Sequence, residues 1–165
     1  MSYQKRLLRA IPGGAHTYSR GFDQFPSNAP EILSRGKGAY VFDADGNRYL
    51  DYGMALRAVN IGYAENEIDA AAIEQIRNGN NLTRPSLIEL EAAELLIDMI
   101  DSVDMVKFTK NGSSSVSAAV KLARAYTGRD RIAVCGYHGW HDWYIGTTAR
   151  NLGVPKSVQD LSSKF

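Results

Sequence analysis

The chain has 165 residues, of which 44% are hydrophobic and 22% charged, values typical of a soluble globular protein that can bury a full hydrophobic core. Its 19 basic and 18 acidic residues leave a net charge of +1, which excludes a charge-driven attraction to nucleic acid or to an anionic membrane. The single cysteine excludes an internal disulfide, and no apolar run is long enough to cross a bilayer. We therefore expect a cytoplasmic protein with no nucleic-acid partner and no membrane partner.

The first part of the chain predicts a short helix, an irregular segment and a β-meander. Tyr3–Ala10 is predicted to be helical. Residues 15–30 show no periodic pattern, and a stretch of that length indicates a functional loop or an interface arm. Residues 31–52 alternate apolar and polar positions around Asp45-Gly46-Asn47, a strong hairpin signal because glycine and asparagine accept positive φ. We interpret residues 31–52 as an antiparallel meander.

Two amphipathic helices are predicted after the meander. Residues 53–62 are interpreted as a loop. Asn66–Asn78 carries apolar side chains on one face, and Gly79 is a plausible stop. Residues 86–98 have a similar pattern and follow Pro85, which suits the start of a helix.

The most informative stretch is 106–126. Val106–Thr109 is predicted as a short strand, residues 111–115 as a turn, and residues 116–126 as a helix with apolar side chains at helical spacing. The first backbone N–H groups of a helix have no intrahelical partner, and the helix dipole favours an anion beside them. The stretch therefore predicts a phosphate site, although a plain serine-capped junction without a ligand remains an alternative.

A second strand is predicted to bring an aromatic residue to this turn. Residues 131–136 are nearly all apolar, which is typical of a buried parallel strand. With the preceding strand and helix they would complete a βαβ unit, and Tyr137 would follow the carboxyl end of the sheet, where ligands bind in open α/β folds. Residues 151–165 are interpreted as a loop, and a sheet that stops so early indicates a fragment of a longer protein.

Other kinds of site have weaker support. His138 and His141 lie three residues apart, but no cysteine pair or acidic cluster completes a zinc ligand set, so we expect no metal. The chain has no Gly-x-Ser-x-Gly elbow of a serine hydrolase and no Gly-x-Gly-x-x-Gly turn at residues 111–116 for a dinucleotide.

Several short motifs occur together in one order and spacing. They are Ile11–Gly14, Ala39–Gly46, Tyr49–Tyr52, Gly112–Ser113, Ala119–Arg129 and Tyr137–Gly139. Together they resemble the class III pyridoxal-phosphate-dependent aminotransferases, with the nearest likeness to the branch that contains glutamate-1-semialdehyde 2,1-aminomutase. The resemblance implies an α/β fold, the N-terminal part of the fold type I of pyridoxal-phosphate-dependent transferases. Residues 1–84 would form the arm, meander and helix of a small domain, and residues 85–165 the start of the large cofactor-binding domain.

The resemblance also implies a site and its ligands. The cofactor would be pyridoxal 5'-phosphate, held by Gly112, Ser113, Ser114, Tyr137, His138 and Gly139. In the family the glycine-serine turn holds the phosphate, and the aromatic residue stacks on the pyridine ring. Arg20 matches the arginine that holds the substrate carboxylate, so the substrates would be small amino donors and acceptors that carry a carboxylate. Residues 79–85 match a loop that approaches the phosphate across a homodimer interface.

The sequence departs from the family pattern in two ways. None of its lysines lies in the context of the family's Schiff-base lysine, so we expect no catalytic residue in this chain and no transamination by the chain alone. The aminomutase branch has an acidic residue where Ser114 stands and a tryptophan near Leu56, which makes a transaminase at least as good an interpretation as an aminomutase. A non-catalytic phosphate-binding module and a structural or dimerising remnant are the remaining alternatives.

Overall fold

The computed structural model describes all 165 residues, which fold into two compact units, Met1–Thr83 and Arg84–Phe165. The elements of the first unit are α1 (Tyr3–Ala10), β1 (Leu33–Lys37), β2 (Tyr40–Asp43), β3 (Arg48–Leu50), α2 (Met54–Arg57) and α3 (Asn66–Asn78). Those of the second unit are α4 (Leu87–Met99), α5 (Gly112–Thr127), β4 (Ile132–Val134), α6 (Asp142–Ile145), α7 (Lys156–Gln159) and β5 (Ser162–Lys164). No helix has both the length and the apolar composition needed to cross a membrane.

The first unit is built on the predicted meander. Its strands lie in the order β1-β2-β3 and are antiparallel throughout, so this prediction is confirmed. The turn between β2 and β3 is organised by Asp43, whose carboxylate accepts from the backbone N–H groups of Asp45 and Asn47 at 3.0 and 2.9 Å. The side chains of Asn47 and Tyr49 also donate to it, each at 2.9 Å. The hydrogen bond from Asn47 is the main reason that the pKa of Asp43 is lowered.

The segments of the first unit that were predicted to be irregular contain short helical turns. Residues 15–30 contain two single 3₁₀ turns, Tyr18–Arg20 and Phe22–Gln24. The predicted loop at residues 53–62 contains α2, in which all four residues have positive φ angles between 45° and 72°. Helix α3 confirms its predicted bounds, and Gly79 ends it with a φ of 95° and an N–H that donates to Ile76 O.

In the second unit, Ser86 and Glu89 form a capping box that starts α4 one residue later than predicted. The predicted strand Val106–Thr109 is wrong: these residues form no backbone ladder with any other segment. The parallel neighbour of β4 is β5, which runs through Ser162–Lys164 in a stretch that was predicted to be a loop. Backbone pairing defines a strand, so the alternation of residues 106–109 is not sufficient to make one.

The buried residues of the second unit gather around β4 and α6. Val134, Tyr144 and Val154 are each less than a tenth exposed. The Tyr144 hydroxyl donates to Gly136 O at 2.9 Å, which fixes the segment that leaves β4. The predicted parallel strand is confirmed at Ile132–Val134, but its burial is only partial, because Val134 is buried while Ala133 is exposed. This small core holds the segment after β4 in place beside the start of α5.

Candidate functional site

The amino end of α5 presents two backbone donors that the chain itself does not use. Asn111 caps the helix, because its Oδ1 accepts from Ser114 N at 3.0 Å and its carbonyl accepts from Ser115 N at 3.1 Å. The N–H groups of Gly112 and Ser113 donate to no atom of the chain. The predicted turn at residues 111–115 is therefore a cap and a first helical turn, and it leaves two donors at the positive end of the helix dipole.

The segment after β4 forms the opposite side of the site. His138 Nε2 donates to Cys135 O at 2.7 Å, and the His138 ring lies 6.1 Å from that of Trp143 at an interplanar angle of 29°. These contacts anchor His138 and leave its neighbour Tyr137 with 79% of its surface exposed. The rings of Tyr137 and Tyr144 make a T-shaped contact, with centroids 5.8 Å apart and an interplanar angle of 83°.

Gly139 brings the two sides into contact. Its φ is +93°, and a Cβ at this position would overlap Ser113 Oγ and lie 3.0 Å from Ser113 Cα. Only glycine combines this backbone conformation with so close an approach. The loop and the first turn of α5 are therefore too close at Gly139 to accommodate a side chain there.

A cleft of about 520 Å³ lies between these sides. It is lined by Asn111, Gly112, Ser113, Val116, Tyr137, His138, Gly139 and Trp140. Five of the six predicted cofactor residues are in this set. The exception is Ser114, whose backbone N–H is already bonded to Asn111. The cleft offers an anion two backbone donors and offers a flat ring an exposed aromatic face, so these residues fit pyridoxal phosphate.

Arg20 belongs to the first unit, where it lies exposed at the end of a 3₁₀ turn. Its charge acts on Tyr63, whose hydroxyl donates to Asp51 Oδ2 at 2.5 Å. This hydrogen bond is the main cause of a raised pKa of Tyr63, and the charge of Arg20 opposes the rise. The same bond is the main cause of a lowered pKa of Asp51, which also accepts from Gly53 N at 2.8 Å.

Some features of the site were not identified from the sequence. Trp140 and Val116 line the cleft, and Ser117 forms hydrogen bonds with His141 and Trp143. Val116 belongs to the apolar helical pattern of residues 116–126, but that pattern does not indicate a ligand site. Trp140, Ser117, His141 and Trp143 follow no periodic pattern. No group of three or more His, Cys, Asp or Glu side chains could hold a metal ion.

Comparison with known proteins gives one consistent result. The family model described as "Aminotransferase class-III" matches residues 23–165. The chain is 37% identical over its whole length to a 3-aminobutyryl-CoA aminotransferase of Cloacimonas acidaminovorans, of which it covers 39%. It is 35% identical over 98% of its length to a glutamate-1-semialdehyde 2,1-aminomutase of Salinibacter ruber, of which it covers 38%.

A solved structure extends the likeness to three dimensions. The FumI protein of Sphingopyxis sp. MTA144, solved with PLP, matches 99% of this chain at 35% identity with a TM-score of 0.88, and the chain covers 39% of that protein. The likeness confirms the predicted α/β fold of the pyridoxal-phosphate-dependent transferases over the part that the chain spans. That part is about two-fifths of the length of these relatives.

Proposed function

Because the chain belongs to the class III aminotransferases, a family of pyridoxal-phosphate-dependent enzymes, we propose that it forms the phosphate-binding and ring-stacking part of a transaminase or aminomutase. The observation that carries the proposal is the cleft, which is lined both by Gly112 and Ser113, with their unpartnered helix N–H groups, and by the exposed Tyr137. An anion and a flat ring are the two ends of pyridoxal phosphate.

Each residue of the cleft has a definite task in this proposal. The N–H groups of Gly112 and Ser113 donate to phosphate oxygens, and the Ser113 hydroxyl adds a third donor. Tyr137 covers one face of the pyridine ring, while His138 and Gly139 hold the turn that presents it. Ser114 can contribute only through its hydroxyl, because Asn111 occupies its N–H.

The bound cofactor would supply an electron sink for the electrons left when a substrate loses its α-proton. This chain binds and orients; the lysine and the acidic partner of the ring nitrogen lie outside it in our proposal. Arg20 would hold a substrate carboxylate as a charged, bidentate donor. Ser114 and Leu56 differ from the aminomutase pattern, so a transaminase acting on a small carboxylate-bearing amino compound is an equally good interpretation of the sequence.

We further propose a cytoplasmic homodimer. Cys135 is exposed and unpaired, which suits a reducing compartment. Residues 79–85 would approach the phosphate of the partner subunit, as the family resemblance implies.

The test is a titration of the chain with pyridoxal phosphate, followed by fluorescence. We expect saturable binding that Ser113→Ala weakens about tenfold, because it removes a donor to a charged phosphate. Tyr137→Ala should weaken binding by a similar factor through lost stacking, and Ser114→Ala should have the smallest effect. Thr127→Ala, at the far end of α5, is the matched control and should leave the affinity unchanged.

Absence of saturable binding at millimolar pyridoxal phosphate would contradict the proposal and leave a structural remnant as the interpretation. Binding without turnover of an amino donor is the result that we expect for the 165-residue chain. Turnover by this chain would contradict our assignment of the catalytic lysine to a segment outside it.

A further inference from the structure

A chain of hydrogen bonds beside the cleft has no task in the proposed function. Ser117 Oγ lies 2.7 Å from His141 Nδ1, and Trp143 Nε1 donates to Ser117 Oγ at 2.9 Å. All three residues are half-buried, and none lines the cleft.

The chemistry of the groups fixes the direction of one of the two bonds. The indole N–H of Trp143 can only donate, so Ser117 Oγ is its acceptor. Ser117 Oγ keeps a second lone pair and its own hydrogen, so the bond to His141 Nδ1 can run in either direction. In both cases the bond to Ser117 holds the imidazole ring of His141 at Nδ1.

These two bonds are the only hydrogen bonds between α5 and residues 135–148. None of the other hydrogen bonds of that segment reaches α5; those from His138 to Cys135 and from Tyr144 to Gly136, for example, lie within the segment. The segment carries Tyr137, and α5 carries the two free N–H groups. The Ser117 hydroxyl is thus the polar connection between the two sides of the cleft.

The spacing of these sides tolerates little change. Gly139 lies so close to Ser113 that a single methyl group would not fit. A loop without regular secondary structure needs a fixed point to keep such a distance, and a displacement of about 1 Å is enough to spoil a binding geometry.

We propose that Ser117, His141 and Trp143 are positioning residues, which set the distance between the phosphate donors of α5 and the ring of Tyr137. The inference rests on the proposed function, since it concerns how the cleft holds pyridoxal phosphate. It adds three residues that do not touch the cofactor and yet determine how tightly and in what orientation it is bound.

The tautomer is tested first and without any ligand. In the ¹⁵N-histidine NMR spectrum of the chain, with His141→Asn to assign the signals, we expect His141 to show a single tautomer, because the bond to Ser117 fixes Nδ1 either as a donor or as an acceptor. Ser117→Ala should abolish this preference. A mixture of both tautomers in the unsubstituted chain would overturn the hydrogen-bond chain and the inference with it.

The positioning role is tested by titration with pyridoxal phosphate, with affinity and the visible circular dichroism of the bound cofactor as readouts. We expect Ser117→Ala to weaken binding about tenfold, the loss expected for one or two hydrogen bonds, and to reduce the dichroism at saturation. Ser117→Thr, which keeps the hydroxyl, should restore both, and Thr127→Ala should change neither.

The outcomes separate the two proposals. If the unsubstituted chain binds pyridoxal phosphate and Ser117→Ala binds it equally well with the same dichroism, the positioning role is wrong and the proposed function stands. If the unsubstituted chain does not bind it, the proposed function fails and the positioning role fails with it. Thermal unfolding of each variant shows whether it is folded, and the NMR measurement decides the inference if Ser117→Ala is not.

Discussion

Among the segments whose backbone has positive φ, the loop after β4 and α2 are stabilised in opposite ways. In the loop after β4 the positions are glycines, Gly136 at 83° and Gly139 at 93°. In α2 they are four consecutive residues with side chains, from Met54 at 45° to Arg57 at 72°. The first segment reaches its shape without steric cost, whereas the second must be held in it by its neighbours.

Asp51 is the neighbour that holds α2. Its carboxylate accepts from the backbone N–H of Gly53 at 2.8 Å and from the Tyr63 hydroxyl at 2.5 Å. The backbone N–H groups of Gly53, Met54 and Ala55 also contribute to the lowered pKa of Asp51. A left-handed turn costs about 1–2 kcal/mol for each residue with a Cβ, so α2 would not persist without such support. Strained backbone of this kind is concentrated at functional sites. A glycine in the sequence indicates where positive φ is possible, whereas nothing in the sequence of α2 indicates its left-handed backbone.

The largest effect should come from adding a methyl group to the loop. Gly139→Ala places a Cβ against Ser113 and also strains a φ of +93°, so the loop must move away from α5. We expect pyridoxal phosphate to bind at least about tenfold more weakly, and the free energy of unfolding to fall by about 1–3 kcal/mol. The measurements are a binding titration and urea unfolding.

Gly153→Ala separates the two causes. Gly153 has a similar φ of +87°, but a Cβ there would meet no atom within 4 Å. It should lower stability modestly and leave the affinity for pyridoxal phosphate unchanged. Equal losses of affinity in the two variants would show that contact with Ser113 is not what matters.

The next largest effect should come from weakening the support of α2. Asp51→Asn replaces the carboxylate that accepts hydrogen bonds from the Tyr63 hydroxyl and from Gly53 N. Because these bonds are partly exposed, we expect the free energy of unfolding to fall by about 1–2 kcal/mol at neutral pH. Because the pKa of Asp51 is lowered below its ordinary value of 3.8, its contribution is complete above that pH and is lost as pH falls through the folded-state value.

Urea unfolding across this acid range should therefore show the difference between the unsubstituted chain and Asp51→Asn shrinking as the pH falls. Glu74→Gln, an exposed carboxyl on α3 for which the structure shows no hydrogen bond or ion pair, is the control and should show no such pattern. A difference that stays constant with pH would mean that the ionised carboxylate does not hold α2.

The smallest effect should be an increase in stability rather than a loss. Ala55→Gly relieves a left-handed residue at φ 47°, and we expect a gain of about 0.5–1 kcal/mol in the free energy of unfolding. The same exchange in the middle of a regular helix, Ala71→Gly in α3, should cost about 1 kcal/mol. A loss in both variants would show that α2 is not strained at Ala55.

Much of this architecture can be predicted from local signals. The meander follows from alternation and from the Asp-Gly-Asn turn, and α3 and α5 follow from helical periodicity. Gly112, Ser113 and Tyr137–Gly139 meet in one cleft, as the predicted crevice requires, because a helix start and the end of the following strand approach one another. Their roles towards the cofactor, that of Ser114 and that of Arg20 remain predictions.

The errors have a common physical origin in non-local pairing. Val106–Thr109 alternates like a strand but has no neighbour to pair with, while Ser162–Lys164 has no strand-like composition and pairs with β4. The left-handed shape of α2 depends on Asp51 and Tyr63, which lie at positions that no local pattern connects to it. The partnership of Ser117 with His141 spans 24 residues and has no sequence signal.

The cap of α5 has a consequence for how the site can change over generations. The two free donors belong to the backbone of Gly112 and Ser113, and every amino acid except proline supplies them. Mutation can therefore replace these side chains without removing the amide donors, so anion binding should outlast changes in substrate preference. Gly112→Pro is the useful experimental substitution. Proline is tolerated at the first position of a helix, so this change would remove one N–H donor while α5 stays intact.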